Sequence, residues 1–200
     1  MVKYVVPSFQ RPVIFRDQTY SFLKKHNISD SDIHLFLRSD DPYINDYMDR
    51  ATGINFHITD VRGVGRTHNF ITEYFDEGDF IVEIDDDLKE LVDNERKPVK
   101  DFKSVVEGML SRMVDEEISY GGTYQVANNK FMSGNPQYTT DLRYMLGCLR
   151  FRRIRKDIVL ETNYAEDFEN CIKHFIRDGK ILKNNWIAPI TKNYQDGGCK

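Results

Sequence analysis

Apolar residues fall into two rhythms that alternate through the first half of this chain. Tyr4-Val5-Val6, Ile33-His34-Leu35-Phe36-Leu37, Asn55-Phe56-His57-Ile58 and Ile81-Val82-Glu83-Ile84 are runs of strand length, rich in β-branched and aromatic side chains. Turn signals flank them: Pro7-Ser8 closes the first, Ser39-Asp40-Asp41-Pro42 closes the second, and Thr52-Gly53 precedes the third. Between the runs, Phe15, Thr19, Phe22 and Leu23 recur at helical spacing, as do Phe70, Ile71, Tyr74 and Phe75 ahead of Gly78, a helix stop. β-α-β-α-β alternation with short connections predicts a mainly parallel sheet flanked by helices.

The second half follows another pattern. Val105, Val106, Met109, Leu110, Met113, Val114 and Ile118 make a strongly amphipathic helix, broken at Gly121-Gly122. A polar passage from Thr123 to Thr140 places turns at Asn128-Asn129 and Gly134-Asn135-Pro136, between short strands. Arg150, Arg152, Arg153, Arg155 and Lys156 form the chain's one dense basic cluster. A last helix is predicted to carry Phe168, Cys171, Ile172, Phe175 and Ile176 on one face and to stop at Gly179. With no repeat or linker in sight, one domain over residues 1–200 is expected, 1–90 forming a Rossmann-like nucleotide-binding half and 91–200 an acceptor-binding half.

The strand at Ile81 ends in Asp85-Asp86-Asp87. Three adjacent carboxylates repel one another unless a cation lies among them, and hard oxygen ligands suit Mg²⁺ or Mn²⁺. In an open α/β sheet the carboxyl ends of the strands are where ligands bind. Alternation along an extended chain points Asp85 and Asp87 one way and Asp86 the other. One of the pair can hold a metal while the other accepts hydrogen bonds from a sugar hydroxyl, an arrangement suited to a departing nucleoside diphosphate. Glu166-Asp167 opens the last helix, where carboxylates are stabilised by the helix dipole and where a general base would be rigidly held, with Asp167 preferred over Glu166. Solvated acidic turns and plain helix capping are the inert readings of the same residues.

Composition narrows the field. Charged residues are 30% of 200 and the net charge is −4, so bulk charge does not announce a nucleic-acid partner. Cys148, Cys171 and Cys199 are widely spaced and odd in number, which suits a reducing compartment better than a disulfide framework. Neither a signal peptide nor a membrane-length apolar run is present, so a cytoplasmic protein without a membrane partner is expected, in the host cytoplasm if the chain is viral. The five histidines lack the spacing of a zinc site, and Gly63-x-Gly65 lacks the third glycine of a dinucleotide fingerprint. His174 is expected to be a partly exposed helix residue.

Several short motifs stand in order along nearly the whole chain. They are Pro7-Ser8-Phe9-Gln10-Arg11-Pro12, Gly63-Val64-Gly65 with Asn69-Phe70-Ile71, Ile84-Asp85-Asp86-Asp87, Glu166-Asp167-Phe168-Glu169, Asp178-Gly179-Lys180-Ile181, and Thr191-Lys192-Asn193-Tyr194 with Gly197-Gly198. Together they resemble the TET-associated glycosyltransferases, a GT-A-fold family that includes the base J glucosyltransferase and phage DNA-modifying enzymes. The resemblance implies a UDP-sugar donor, often UDP-glucose, a divalent metal at the Asp-x-Asp position, and for many members a hydroxymethylated pyrimidine in DNA as acceptor. It implies that Pro7, Ser8 and Arg11 line the nucleotide and diphosphate site, that Asp85 and Asp87 hold ribose and metal, that Asp167 is the base, and that Gly197-Gly198 form a late loop nearby. The family places Arg directly before the helix Asn69; this chain has His68 there and Arg66 two residues earlier, and either is a candidate for the diphosphate.

For the acceptor, Arg152 and Arg153 of the basic cluster are candidates to track a phosphate backbone, with Asn128, Asn129 and Trp186 beside them. A base in a duplex has to be flipped out to meet the sugar, and Trp186 could stack on it. Glycosyl transfer to a protein or surface glycan, and metal-dependent nucleotidyl transfer, are the other readings of the acidic run. A nucleotide-sugar-binding module without activity is a further one. Oligomeric state is not legible.

Overall fold

A computed structural model of the chain describes residues 2–191. Gly197 and Gly198 lie outside the described residues, as do Lys192, Asn193 and Tyr194 of the terminal motif. Strand β1 (Lys3–Ser8) leads into α1 (Pro12–Phe15), a π-helical turn (Arg16–Tyr20) and α2 (Ser21–Lys25). Pro12 suits the start of α1 because the first N–H of a helix has no intrahelical partner to lose. The alternation continues through β2 (Ile33–Arg38), α3 (Ile44–Arg50), β3 (Asn55–Thr59), α4 (Val64–Tyr74) and β4 (Phe80–Ile84). The second half comprises β5 (Leu88–Asp93), α5 (Phe102–Asp115), β6 (Tyr120–Thr123), α6 (Asn129–Met132) and β7 (Tyr138–Thr139). It ends with β8 (Leu149–Arg153), α7 (Glu166–Asp178), β9 (Leu182–Asn184) and β10 (Ile187–Thr191).

Eight strands form one sheet in the order β3-β2-β1-β4-β8-β6-β9-β7, and β5 pairs with β10 in a small antiparallel sheet. β3, β2, β1 and β4 are mutually parallel, β8 runs antiparallel to both β4 and β6, and β7 is antiparallel to β9. The result is a mainly parallel, mixed α/β sheet flanked by helices. Chain order runs outward from β1 to β3 and then returns to place β4 on β1's other side. That reversal opens a crevice at the carboxyl ends of β1 and β4, the point where open α/β sheets bind ligands.

Strand alternation divides the core in two. Tyr4, Val6, Leu35, Val82 and Ile84 point to the layer containing Phe15, Phe22, Phe102, Met109 and Met113. Val5, Phe36 and Ile81 point to the opposite layer, against Ile71 and Phe75 of α4. Glu83 shares the parity of Ile81, so β4 sends a carboxylate into the α4 layer. No helix among the described residues is long and apolar enough to cross a membrane.

Two expectations need correction. On α7, Asn170, Cys171 and His174 are buried, while Phe168, Ile172 and Ile176 are exposed, so the helix sits rotated from the face its apolar residues define. His174 is therefore interior: its ring stacks on Tyr120 and its Nδ1 lies 2.7 Å from the Ser119 hydroxyl. The Asn-rich passage forms a short helix as well as a strand, because the Asn128 side chain caps α6 by accepting from Lys130 N at 3.1 Å.

Candidate functional site

A cleft of about 580 Å³ opens at the β1/β4 reversal. It gathers Pro7, Ser8 and Arg11 from the loop after β1, Asp85, Asp86 and Asp87 after β4, and Glu166 and Asp167 from the first turn of α7. These residues are far apart in sequence and meet because the carboxyl ends of β1 and β4 adjoin and α7 begins beside the start of β8.

Asp86 is committed inside the protein. Its Oδ2 accepts from Ser8 Oγ at 2.5 Å and its Oδ1 from Arg11 Nη1 at 3.2 Å. Ser8 has one hydroxyl proton and gives it to Asp86, so the buried Tyr47 hydroxyl, 2.7 Å away, donates to Ser8 and itself accepts from Arg11 N at 2.8 Å. The β1 loop is pinned further by Asp41, which accepts from Gln10 N at 2.6 Å.

Asp85 and Asp87 line the cleft, and neither carboxylate has a side-chain hydrogen-bond or ion-pair partner among the described residues; Asp87 accepts only from its own backbone N–H. Burial first, then the neighbouring carboxylates, against the pull of Arg150, push Asp85 up to about 7; burial also raises Asp87. Two carboxylates with no side-chain partner among the described residues, whose charged forms are disfavoured by desolvation and mutual repulsion, form a donor set that a divalent cation would relieve. The described residues contain no group of three or more His, Cys, Asp or Glu side chains arranged as a metal site. The set thus fits a cation held by one or two carboxylates together with a ligand's own phosphates, the usual habit of Mg²⁺.

The backbone of the acidic run is held by Thr19, whose Oγ1 donates to Asp85 O at 2.6 Å and accepts from Leu88 N at 2.9 Å. Thr19 lies in the π-helical turn, a local widening of the helix often found at functional sites, and here it aims a hydroxyl at the loop. Asp85 N also donates to Cys148 O at 3.1 Å, tying the run to the segment before β8.

Asp167 is gripped from the opposite wall. Arg150 Nη1 donates to its Oδ1 at 3.2 Å, and Arg150 Nη2 lies 3.0 Å from His68 Nε2. His68 Nδ1 meets Glu83 Oε1, and Glu83 Oε2 accepts from Arg152 Nη1 at 2.8 Å. Arg152 Nη2 reaches Thr72 Oγ1 at 2.5 Å. Glu83 is held well below the usual carboxylate range because His68, Arg150 and Arg152 surround it and overcome its desolvation. Gly147 makes the Asp167 contact possible: a Cβ there would lie 2.5 Å from Asp167 Oδ1 and 2.8 Å from Arg150 Nη2.

This network changes the expectations for several residues. Arg152 is 4% exposed and paired with Glu83, so it cannot track a phosphate backbone; β8 is a strand, and its alternation turns Arg150 and Arg152 inward together. Arg153 is half-buried over the Phe80 ring, and Arg155 and the Lys156 backbone are bound by Glu77. The continuous basic strip is therefore absent. Both ring nitrogens of His68 face protein partners at the cleft wall, and Arg66 is exposed and outside the cleft lining. Asn69 holds Leu160 through both backbone groups at 2.8 Å. Gly65 allows close packing, since a Cβ there would stand 1.9 Å from the Thr162 carbonyl oxygen, and Gly63 lies in the cleft lining. Asn128 and Asn129 are exposed on α6, and Trp186 Nε1 donates to Asn135 O at 2.9 Å; none of the three lines the cleft.

The sequence pattern gave no sign of Thr19, Tyr47, Asp41, Arg150 or Gly147 as site residues. Arg38, also in the cleft wall, stacks its guanidinium 3.9 Å from the Phe9 ring centre. Only the basic character of Arg150 was visible, and its carboxylate partners sit 67 residues before it and 17 after.

No family model matches the sequence, and no curated protein matches it. Solved structures do. S. aureus TarS, residues 1–349, in complex with UDP-GlcNAc superposes with a TM-score of 0.64 at 15% identity, covering 98% of this chain and 60% of that one. Glucosyl-3-phosphoglycerate synthase from Mycobacterium tuberculosis, in complex with Mn²⁺, UDP and glucosyl-3-phosphoglycerate, gives 0.62 at 12% identity over 98% of this chain and 73% of that one. A putative glucose-1-phosphate thymidylyltransferase from Bacillus anthracis gives 0.57 at 9% identity over 92% of this chain and 86% of that one. The chain thus spans about three-fifths of the TarS structure it resembles, and the shared property at these identities is the fold.

Proposed function

We propose that this chain is a metal-dependent glycosyltransferase that moves a hexose, glucose first among candidates, from a UDP-sugar to a hydroxyl. The observation that carries the reading is the pair of carboxylates without side-chain partners among the described residues, Asp85 and Asp87, at the carboxyl end of β4, sharing one cleft with Arg11 and Asp167. Similarity in fold to structures holding UDP-GlcNAc, or Mn²⁺ with UDP, supports the donor and the metal. Residues 1–90 would bind the donor and 91–200 the acceptor.

Bound between Asp85 and Asp87, Mn²⁺ or Mg²⁺ would supply Lewis acidity to a departing diphosphate. Arg11 and Ser8, fixed by Asp86 and Tyr47, form the wall beside it. Asp167 takes the proton from the acceptor hydroxyl as its oxygen bonds to the anomeric carbon; the bond from that carbon to the β-phosphate oxygen breaks, and its electron pair leaves with UDP. A base opposite the leaving group favours inversion.

A hydroxymethylpyrimidine in phage or viral DNA is the acceptor supported by the ordered motifs and their resemblance to the TET-associated family. With Arg150 and Arg152 buried, such an acceptor would have to be held by surfaces other than the basic cluster. The thymidylyltransferase neighbour favours one second reading, nucleotidyl transfer, in which the same carboxylates would serve a departing pyrophosphate. A melting screen with Mn²⁺ and UDP, GDP, CDP or ATP separates them, because a ligand that binds only the folded state raises the melting temperature. Stabilisation by UDP with Mn²⁺ is expected; stabilisation by ATP alone overturns glycosyl transfer.

A further inference from the structure

We propose that His68 and Arg150 are the positioning pair for Asp167: the buried imidazole fixes the guanidinium, and the guanidinium fixes one oxygen of the base. The proposal rests on the glycosyl-transfer reading for the role of Asp167, and on geometry alone for the rest.

Counting donors settles the protons. A guanidinium carries donors and no acceptor, so His68 Nε2, 3.0 Å from Arg150 Nη2, has to accept. A neutral imidazole has one N–H, which therefore sits on Nδ1, the nitrogen in close contact with Glu83 Oε1. Glu83 can only accept, and its other oxygen takes the bond from Arg152 at 2.8 Å. The other end of Arg152 is seated on Thr72 Oγ1, and that hydroxyl donates to the His68 carbonyl at 2.8 Å, so the chain of contacts closes on the residue it began with. An imidazolium at this position would aim N–H at a guanidinium. Consistently, burial and the charge of Arg150 push the His68 pKa down.

The consequence is felt in the cleft. His68 and Arg150 are 1% and 2% exposed, so neither ring nor guanidinium can swing away to water. Arg150 spends Nη2 on His68 and Nη1 on Asp167 Oδ1, at 3.2 Å. Asp167 Oδ2 has no partner among the described residues and remains for the acceptor proton. Gly147 completes the device by leaving out the Cβ that would part the pair. A leucine at position 68 would fill much of the same space while offering Arg150 no acceptor, and a glutamine would offer both a donor for Glu83 and an acceptor for Arg150.

The test uses UDP release from UDP-glucose with Mn²⁺, water serving as acceptor, together with ¹⁵N NMR of the His68 ring. H68L should lower kcat on the order of 10- to 100-fold, the cost of a misplaced catalytic group, with KM for UDP-glucose held within about two-fold. H68Q should recover kcat to within about three-fold of wild type. The ring should be the neutral Nδ1–H tautomer from about pH 6 to 8. If H68L fails to fold, R150K supplies the same comparison, since one ammonium cannot bridge His68 and Asp167; kcat should fall with KM held. An unchanged kcat, a failure of H68Q to rescue, an Nε2–H tautomer or an imidazolium overturns the proposal. Absence of UDP release from the wild type overturns the functional reading instead, and the ring nitrogens then decide the geometry by themselves.

Discussion

Glu83→Gln isolates the buried charge network from every packing effect. The side chains are nearly isosteric, so no cavity is created, and the difference lies in one negative charge that is 1% exposed. That charge meets Arg152 at 2.8 Å, Arg150 at 3.6 Å and His68 Nδ1. Removing it leaves two buried guanidinium groups short of a counter-charge, and breaking a buried pair from one side costs about 3–5 kcal/mol. For a chain of 200 residues, each kcal/mol moves Tm by roughly 2–4 °C, so a fall of about 6–20 °C is expected. Urea unfolding gives the free energy, and calorimetry gives Tm. The pH dependence follows from the depressed pKa of Glu83 in the fold. A carboxylate of lowered folded pKa contributes stability that is complete above its unfolded value, about 4.3, and is lost as pH falls through the folded one. The gap between wild type and variant should stay constant from about pH 8 to 5 and shrink only below about 4.3. A loss below about 1 kcal/mol, the scale of an exposed ion pair, would refute the buried network.

Other consequences can be checked separately. Gly147→Ala should leave UDP and Mn²⁺ binding in place and reduce turnover, because its Cβ would lie 2.5 Å from Asp167 Oδ1; equal turnover with bound donor would contradict this, and titration calorimetry beside a turnover assay reads both. Thr19→Val removes the hydroxyl that joins Asp85 O to Leu88 N and should cost about 1–3 kcal/mol in urea unfolding, with weakened Mn²⁺ binding. His34, whose Nδ1 lies 2.9 Å from His57 Nε2, is lowered to about 4 chiefly by burial. The unfolded chain takes up that proton near pH 6.5 and the folded one does not, so stability should fall as pH drops from about 6.5 to 4; His34→Gln should flatten that part of the curve.

The parallel half of the fold was legible because its strands are buried on both faces and its helices are amphipathic, so local pattern and tertiary environment agree. The acidic run was legible for a related reason: three carboxylates at the end of an apolar strand are a local anomaly. β8 was not, since Leu149-Arg150-Phe151-Arg152-Arg153 reads as a solvated basic cluster. What makes it an interior strand is Glu83, which register places directly opposite Arg150. α7 misleads in the opposite sense: Phe168, Ile172 and Ile176 point outward, while Asn170 and His174 are buried beside Cys171, His174 bonded to the Ser119 hydroxyl. The glycines at 63 and 65, which lack a dinucleotide fingerprint, meet close protein neighbours instead, Asn163 at Gly63 and the Thr162 carbonyl at Gly65. Thr19 and Tyr47 act through single hydroxyls across 66 and 39 residues, distances at which a sequence pattern carries no sign.

The central claim is transfer of a sugar from its nucleotide in the cleft between Asp85 and Asp167, and the leaving product reports on it most directly. Wild type incubated with UDP-glucose, Mn²⁺ and hydroxymethylated DNA, followed by mass spectrometry of the nucleosides and quantitation of UDP and pyrophosphate, is the measurement. UDP released together with a hexosylated nucleoside, abolished by a chelator and by Asp87→Asn, is the predicted result. Pyrophosphate as the product, or UDP release indifferent to both chelator and Asp87→Asn, would contradict it.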